Sequence, residues 1–153
     1  MSALLFLSSQ KIHHQDLKPG NIVFSKDMKC IKICDFGFAT GLDQTIIGQR
    51  RAENGTRHFE APEQFDLIAT IKSDVWSFGC TLLNMITKEM PYHDIESLQI
   101  VQKLNHCTPL EYARLKLPKE KFQILDEHPE LETILVKCFE RNHLKRISLE
   151  EIF

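Results

Sequence analysis

His14-Gln15-Asp16-Leu17-Lys18-Pro19-Gly20-Asn21 is the stretch from which the fold is read. Fourteen residues after Asn21 comes Asp35-Phe36-Gly37. Farther on lie Gly55-Thr56, Ala61-Pro62-Glu63 and Asp74-Val75-Trp76-Ser77-Phe78-Gly79. Taken singly, an Asp or Asn in a loop is a turn-former, and no one of these short strings decides anything. Their order, and the elements between them, carry the information.

Working outward, Ile22-Val23-Phe24 and Ile31-Lys32-Ile33-Cys34 are short β-type runs. The polar residues 25–29 join them, which predicts a small hairpin. From 35 to 63 there is little periodicity, with Gly37, Gly41, Gly48 and Gly55 among many polar residues. A connection of that length is usually functional or disordered. The stretch 73–87 is apolar almost all round, through Val75, Trp76, Phe78, Leu82, Leu83, Met85 and Ile86, which predicts a helix buried at the centre of the domain. A helix is expected over 94–104. Another follows from Leu131, Ile134, Leu135, Cys138 and Phe139 at helical spacing, with Pro129 in its first turn. Residues 3–7 read as the end of a buried helix, and Ile152-Phe153 as part of a last one. The fold class is mainly α: a helical bundle with one small hairpin beside the decisive loop, and no visible domain boundary over 1–153.

Composition sets the outer limits. The chain has 153 residues, 42% apolar and 26% charged, with a net charge of −2. That is the profile of an ordinary globular domain, and it argues against disorder, collagen and coiled coil. Without a basic excess, general binding to a nucleic-acid backbone is not expected. No apolar stretch approaches the ~18 residues that suggest a membrane span, so no membrane partner is expected. Residues 3–7 lack the basic flank of a signal peptide. The five cysteines, Cys30, Cys34, Cys80, Cys107 and Cys138, are odd in number and scattered. They read as reduced, core-packed thiols in an intracellular protein. A cytoplasmic address is expected, with the nucleus left open.

The ordered set resembles the catalytic lobe of eukaryotic protein kinases, whose pattern is H-R-D-L-K-x-x-N, D-F-G, A-P-E and then D-x-W-S-x-G. The resemblance runs over essentially the whole chain. It implies a kinase-like C-terminal lobe, with ATP and Mg²⁺ as cofactors and a protein hydroxyl as acceptor. Phosphoryl transfer asks the protein for positioning and charge neutralisation around a loose transition state. By the resemblance, Asp16 orients the attacking hydroxyl and accepts its proton, and Lys18 reaches the transferring phosphoryl oxygens. A lysine there marks the serine/threonine branch. Asn21 and Asp35 offer the hard oxygen ligands that suit Mg²⁺. Ile22 and Val23 resemble the apolar residues under the adenine ring; plain strand core is their other reading. Phe36 and Gly37 complete the motif after Asp35. Thr56 resembles the threonine that links the loop's Asp and Lys. Asp74 resembles the buried acid that ties the central helix to the backbone near the structural histidine, His14. Glu63 resembles the acid paired with a late arginine, here Arg146.

The chain also departs from the pattern. No G-x-G-x-x-G precedes Asp16, so the N-terminal lobe of the family is absent from these residues. Ala69-Thr70-Ile71-Lys72 mimics the strand-lysine motif but stands after Asp35-Phe36-Gly37. The expectation is a fragment, a misassigned start or a truncated relative. Gln15 stands where the family usually has an arginine that grips phosphate. Phosphorylation at Thr40 or Thr45 is therefore not expected to act through that pocket. Gly20 and Asn84 replace acids that in the family read basic substrates, while Arg50, Arg51 and Arg57 lie in the long segment; this points to a substrate that is not arginine-directed and is acidic near its target, with solvated loop charges as the other reading of the arginines.

Two rival classes follow. The first is a catalytically inactive kinase lobe acting as a binding or regulatory module. Its apolar face around Val23 and Phe36 would meet water or a covering partner. The second is a zinc or redox protein, resting only on His13-His14 with Cys30 and Cys34, a weak metal pattern.

Overall fold

The computed structural model describes residues 3–41 and 56–153, the side chain of Thr56 excepted. The readings on Thr45, Arg50, Arg51 and the hydroxyl of Thr56 lie outside the described residues. Helix α1 is Ala3–Ser9, followed by the two-residue strand β1, Ile12–His13. Strands β2 (Ile22–Phe24) and β3 (Ile31–Ile33) form the expected antiparallel hairpin, with Ile22 opposite Ile33 and Phe24 opposite Ile31. Strand β4 (Thr40–Gly41) returns to pair with β1. Among the described residues six α-helices follow: α2 (Ile71–Thr87), α3 (Ile100–Leu104), α4 (Pro109–Lys116), α5 (Gln123–Glu127), α6 (Pro129–Cys138) and α7 (Leu149–Ile152).

Helix α2 organises the lobe because both its faces are covered. Trp76, Cys80 and Leu83 belong to the larger apolar cluster, with Tyr92, Ile100, Leu104, Leu125, Leu135 and Phe139. Val75 belongs to a second cluster with Leu4, Leu17, Cys138 and Leu149. Thr70 caps the helix: its hydroxyl accepts from the Lys72 N–H, and the Ser73 hydroxyl donates to the carboxylate of Glu63 while its oxygen accepts the Thr70 N–H at 3.0 Å. Lys88, at φ 61°, ends it in the left-handed conformation. Met85, read as part of the buried surface, is 52% exposed.

Close packing of α2 on α6 depends on Gly79. A Cβ there would lie 2.8 Å from the Cβ of Cys138 and 3.0 Å from the Phe139 ring. The Cys138 contact is close to backbone and has little room to give. Gly79→Ala is therefore expected to destabilise the fold by about 1–3 kcal/mol through overpacking, although alanine is the better helix former. Urea unfolding checks this; a variant as stable as the parent would contradict it.

Three expectations need correction. The helix expected over 94–104 is confined to Ile100–Leu104, and the residues before it form turns. Tyr92 sits at φ 55°, and the Asp94 carboxylate is engaged by the Tyr112 hydroxyl and by Lys116 instead of capping a helix. Second, the cysteines are not uniformly core-packed. All five are free; Cys80, Cys107 and Cys138 are buried, Cys34 is half-buried, and Cys30 is exposed. Cys30 stands at the outer end of the hairpin, where its N–H donates to Ser25 Oγ. Burial pushes the Cys138 thiol up to about 12 and Cys80 well above the ordinary thiol range, so neither offers a thiolate. Third, α4 was not anticipated. Its signal is present in Thr108-Pro109 with Glu111: the Thr108 N–H donates to the Glu111 carboxylate at 2.7 Å and the Glu111 N–H to Thr108 Oγ1 at 3.3 Å. This is a reciprocal cap with proline in the first turn.

Candidate active site

The loop between β1 and β2 carries the polar cluster, and its shape is imposed from α2. Asp74 is fully buried in the first turns of that helix. Its Oδ2 accepts the His14 N–H at 2.7 Å and its Oδ1 the Gln15 N–H at 2.8 Å. Burial pushes the Asp74 carboxyl up from the usual range, and the two backbone donors pull the other way. Gln15 adopts φ 64°, a left-handed conformation that L side chains other than Asn and Asp seldom take. Two N–H groups aimed at one carboxylate hold that turn in place.

His14 continues the tie in the other direction. Its Nε2 lies 3.1 Å from the carbonyl oxygen of Cys34, and its Nδ1 accepts the Asp16 N–H at 3.3 Å. Both contacts are satisfied by a single tautomer with the proton on Nε2. The Phe36 ring meets the His14 ring edge-on, with centroids 4.9 Å apart.

Held this way, Asp16 is 4% exposed, and its side chain meets Lys18 and Asn21. Lys18 Nζ is 2.9 Å from Asp16 Oδ2. Asn21 Nδ2 donates to the Asp16 carbonyl at 2.8 Å and to Asp16 Oδ2 at 3.0 Å. Pro19–Asn21 forms a single 3-10 turn that folds Asn21 back over the acid. Because the Asn21 amide N–H₂ is spent on Asp16, its carbonyl Oδ1 is the atom left to face a hard cation.

The link to Asp35 runs through the backbone of Cys34. The Cys34 N–H donates to the Asn21 carbonyl at 2.9 Å, while its own carbonyl meets His14. Asp35 is exposed, at φ 63°, and its Oδ1 accepts the Gly37 N–H at 3.3 Å. Ile22 and Val23 occupy opposite faces of β2, as strand alternation requires. Ile22 is half-buried against the second cluster, and Val23 is 41% exposed.

Glu63 and Arg146 meet in the interior, at 2.7 and 3.0 Å, through two guanidinium nitrogens. Arg146 also donates to the carbonyls of Lys72 and Glu140, and its guanidinium lies 5.0 Å from the Trp76 ring centroid. Burial raises the Glu63 carboxyl, but the Arg146 bonds and charge outweigh it and hold the group below the usual range. Sequence reading did not identify Ser73, whose hydroxyl donates to Glu63 Oε1 at 2.8 Å. It also missed the contact between Gln15 and Thr40. Ser73 was detectable as the third helical residue after the Thr70 cap; the second contact joins residues 25 apart and leaves no local pattern.

A neutral amide carbonyl at Asn21 and an exposed carboxylate at Asp35 are oxygen donors of the kind Mg²⁺ takes. Among the described residues no three His, Cys, Asp or Glu side chains gather as a metal-ligand cluster, and no helix is long and apolar enough to cross a membrane.

A family model described as "Protein kinase domain" matches residues 1–153. The chain is 36% identical over 154 residues to the serine/threonine-protein kinase-transforming protein mos of Moloney murine sarcoma virus (strain ts110), covering 98% of this chain and 42% of that protein. It is 31% identical to serine/threonine-protein kinase 10-A of Xenopus laevis, over 97% of this chain and 16% of the relative. Cell division control protein 7 of Schizosaccharomyces pombe is 28% identical over 99% of this chain and 13% of its own length. The chain thus spans less than half the length of each of these relatives.

Proposed function

The chain belongs to the protein kinase family, and from that premise we propose that it carries the catalytic lobe of a serine/threonine kinase. The reaction moves the γ-phosphoryl group of ATP to a protein Ser or Thr hydroxyl. The observation that carries this reading is the Asp16–Lys18–Asn21 cluster, buried at its base and fixed to α2 through Asp74. Asp16 orients the acceptor hydroxyl and takes its proton as the new bond forms. Lys18, 25% exposed in its side chain, swings its charge toward the phosphoryl oxygens. Asn21 and Asp35 would hold Mg²⁺, which would neutralise phosphate charge when bound with the nucleotide. Val23 offers its exposed side chain to the adenine ring.

Phosphoryl transfer by the longest chain that the message encodes tests this. Label from the γ-position of ATP should appear on serine or threonine of a protein substrate, and only with Mg²⁺. No transfer over a broad set of protein substrates would overturn it.

A second reading, a partner-binding module, is favoured by one feature. Val23, Phe24, Ile31 and Phe36 are between 41% and 59% exposed on and beside the hairpin. Phe24 and Ile31 stand opposite each other across the hairpin and so share a face, and apolar exposure of this kind fits a covering partner. A chain that stays monomeric at high concentration and binds no hydrophobic dye would remove that reading.

A further inference from the structure

We propose that Gln15 is a positioning residue: its buried side-chain amide donates to the Thr40 hydroxyl and holds the segment after Asp35-Phe36-Gly37 on the Asp16 loop, without any charged or phosphorylated group. Gln15 is 9% exposed and Thr40 5%, and the bond runs from Gln15 Nε2 to Thr40 Oγ1. The backbone of Gln15 is already committed to Asp74. Its side chain therefore extends from a fixed point, and the bond ties three parts together: α2, the loop and β4.

The need for such a tie is evident in β4. Among the described residues it spans Thr40–Gly41 and pairs with Ile12–His13 of β1, and a two-residue pairing is marginal without further support. Between Asp35 and Thr40 the chain is a tight turn, with the Ala39 N–H donating to the Phe36 carbonyl at 3.0 Å and the Gly37 N–H to Asp35 Oδ1. Only four residues separate Thr40 from Asp35, and these two hydrogen bonds restrict them, so the position of Thr40 bears on that of Asp35. The Gln15–Thr40 bond thereby fixes the spacing between the loop that holds Asp16 and Asn21 and the turn that holds Asp35.

The bond also removes Thr40 as a phosphate acceptor in the folded chain. Its hydroxyl is buried and engaged. A phosphoryl group there would place close to two negative charges against an uncharged amide in a largely desolvated site, which is unfavourable.

The consequence for nucleotide binding rests on the phosphotransfer reading; the consequence for β4 does not. The test uses the longest encoded chain and three variants: Thr40→Val, which keeps the shape and removes the hydroxyl, Thr40→Ser, which keeps the hydroxyl, and Gln15→Ala. Hydrogen exchange of the β4 amides should quicken about three- to tenfold in Thr40→Val and Gln15→Ala, the range one buried hydrogen bond supports. It should stay near the parent in Thr40→Ser, and the Gln15→Ala/Thr40→Val double variant should be no faster than the singles. Affinity for Mg·ATP should fall in Thr40→Val and recover in Thr40→Ser. Unchanged β4 exchange in Thr40→Val, or additive effects in the double variant, would overturn the bond's role. Faster exchange with unchanged nucleotide affinity would reduce Gln15 to a structural residue and overturn the positioning claim. A parent chain that binds no Mg·ATP contradicts the phosphotransfer reading instead, and the exchange comparison still decides the bond.

Discussion

Asp16→Asn is expected to slow phosphoryl transfer by about 10²–10⁴. The substitution preserves size, and an asparagine oxygen can still accept from Lys18 Nζ and Asn21 Nδ2, which meet Asp16 Oδ2 at 2.9 and 3.0 Å. The backbone ties of the loop to Asp74 do not involve the Asp16 side chain. What disappears is the negative charge and the capacity to take a proton from the acceptor hydroxyl. The loss should therefore fall on the transfer rate under nucleotide saturation, with little change in nucleotide affinity. Single-turnover transfer beside an equilibrium binding measurement separates the two. A variant within threefold of the parent in rate would remove Asp16 from the reaction.

The second large effect is on stability. Glu63→Ala leaves the Arg146 guanidinium, 1% exposed, without its carboxylate in the interior. Breaking a buried pair by removing one partner costs about 3–5 kcal/mol. The remaining acceptors, the carbonyls of Lys72, Glu140 and Arg141, satisfy hydrogen bonds but not the charge. Replacing both residues together, as Glu63→Met with Arg146→Met, should cost less than Glu63→Ala alone, because no charge is then stranded. Denaturant unfolding of the three proteins checks the order, and equal losses in single and double variants would contradict it. The pH dependence has a fixed sign. The folded Glu63 carboxyl is held below its ordinary value of 4.5, so its contribution is fully present above that value. It is lost as pH falls from there through the depressed folded value. The parent should lose stability over this acid range more steeply than the double variant.

How much of this was legible in the chain differs by element. The helices α2 and α6 carry sustained apolar patterns, and the sequence places both within a few residues of their observed ends. The hairpin was legible because β2 and β3 are local and joined by a short polar turn. The pair β1–β4 was not: two-residue strands have no period to detect, and their partner is distant in sequence. Asp16, Lys18 and Asn21 lie in one short stretch, but their roles came from the ordered motifs and the family they resemble. The pairing of Glu63 with Arg146, 83 residues apart, came only from family resemblance; nothing in the local sequence of either residue announces a buried ion pair. The left-handed turn at Gln15 was equally hidden, since glutamine is not a residue that signals positive φ. That turn arises from Asp74, a tertiary partner, overriding local preference.

Calorimetric ATP binding tests most directly whether this cluster holds a magnesium nucleotide. In the longest encoded chain, the parent should bind ATP with an affinity that rises on adding Mg²⁺. Asp35→Ala, whose exposed side chain supports no part of the core, should keep its circular dichroism and lose that Mg²⁺ dependence. ATP binding indifferent to Mg²⁺, or the same Mg²⁺ response in Asp35→Ala, would contradict the account.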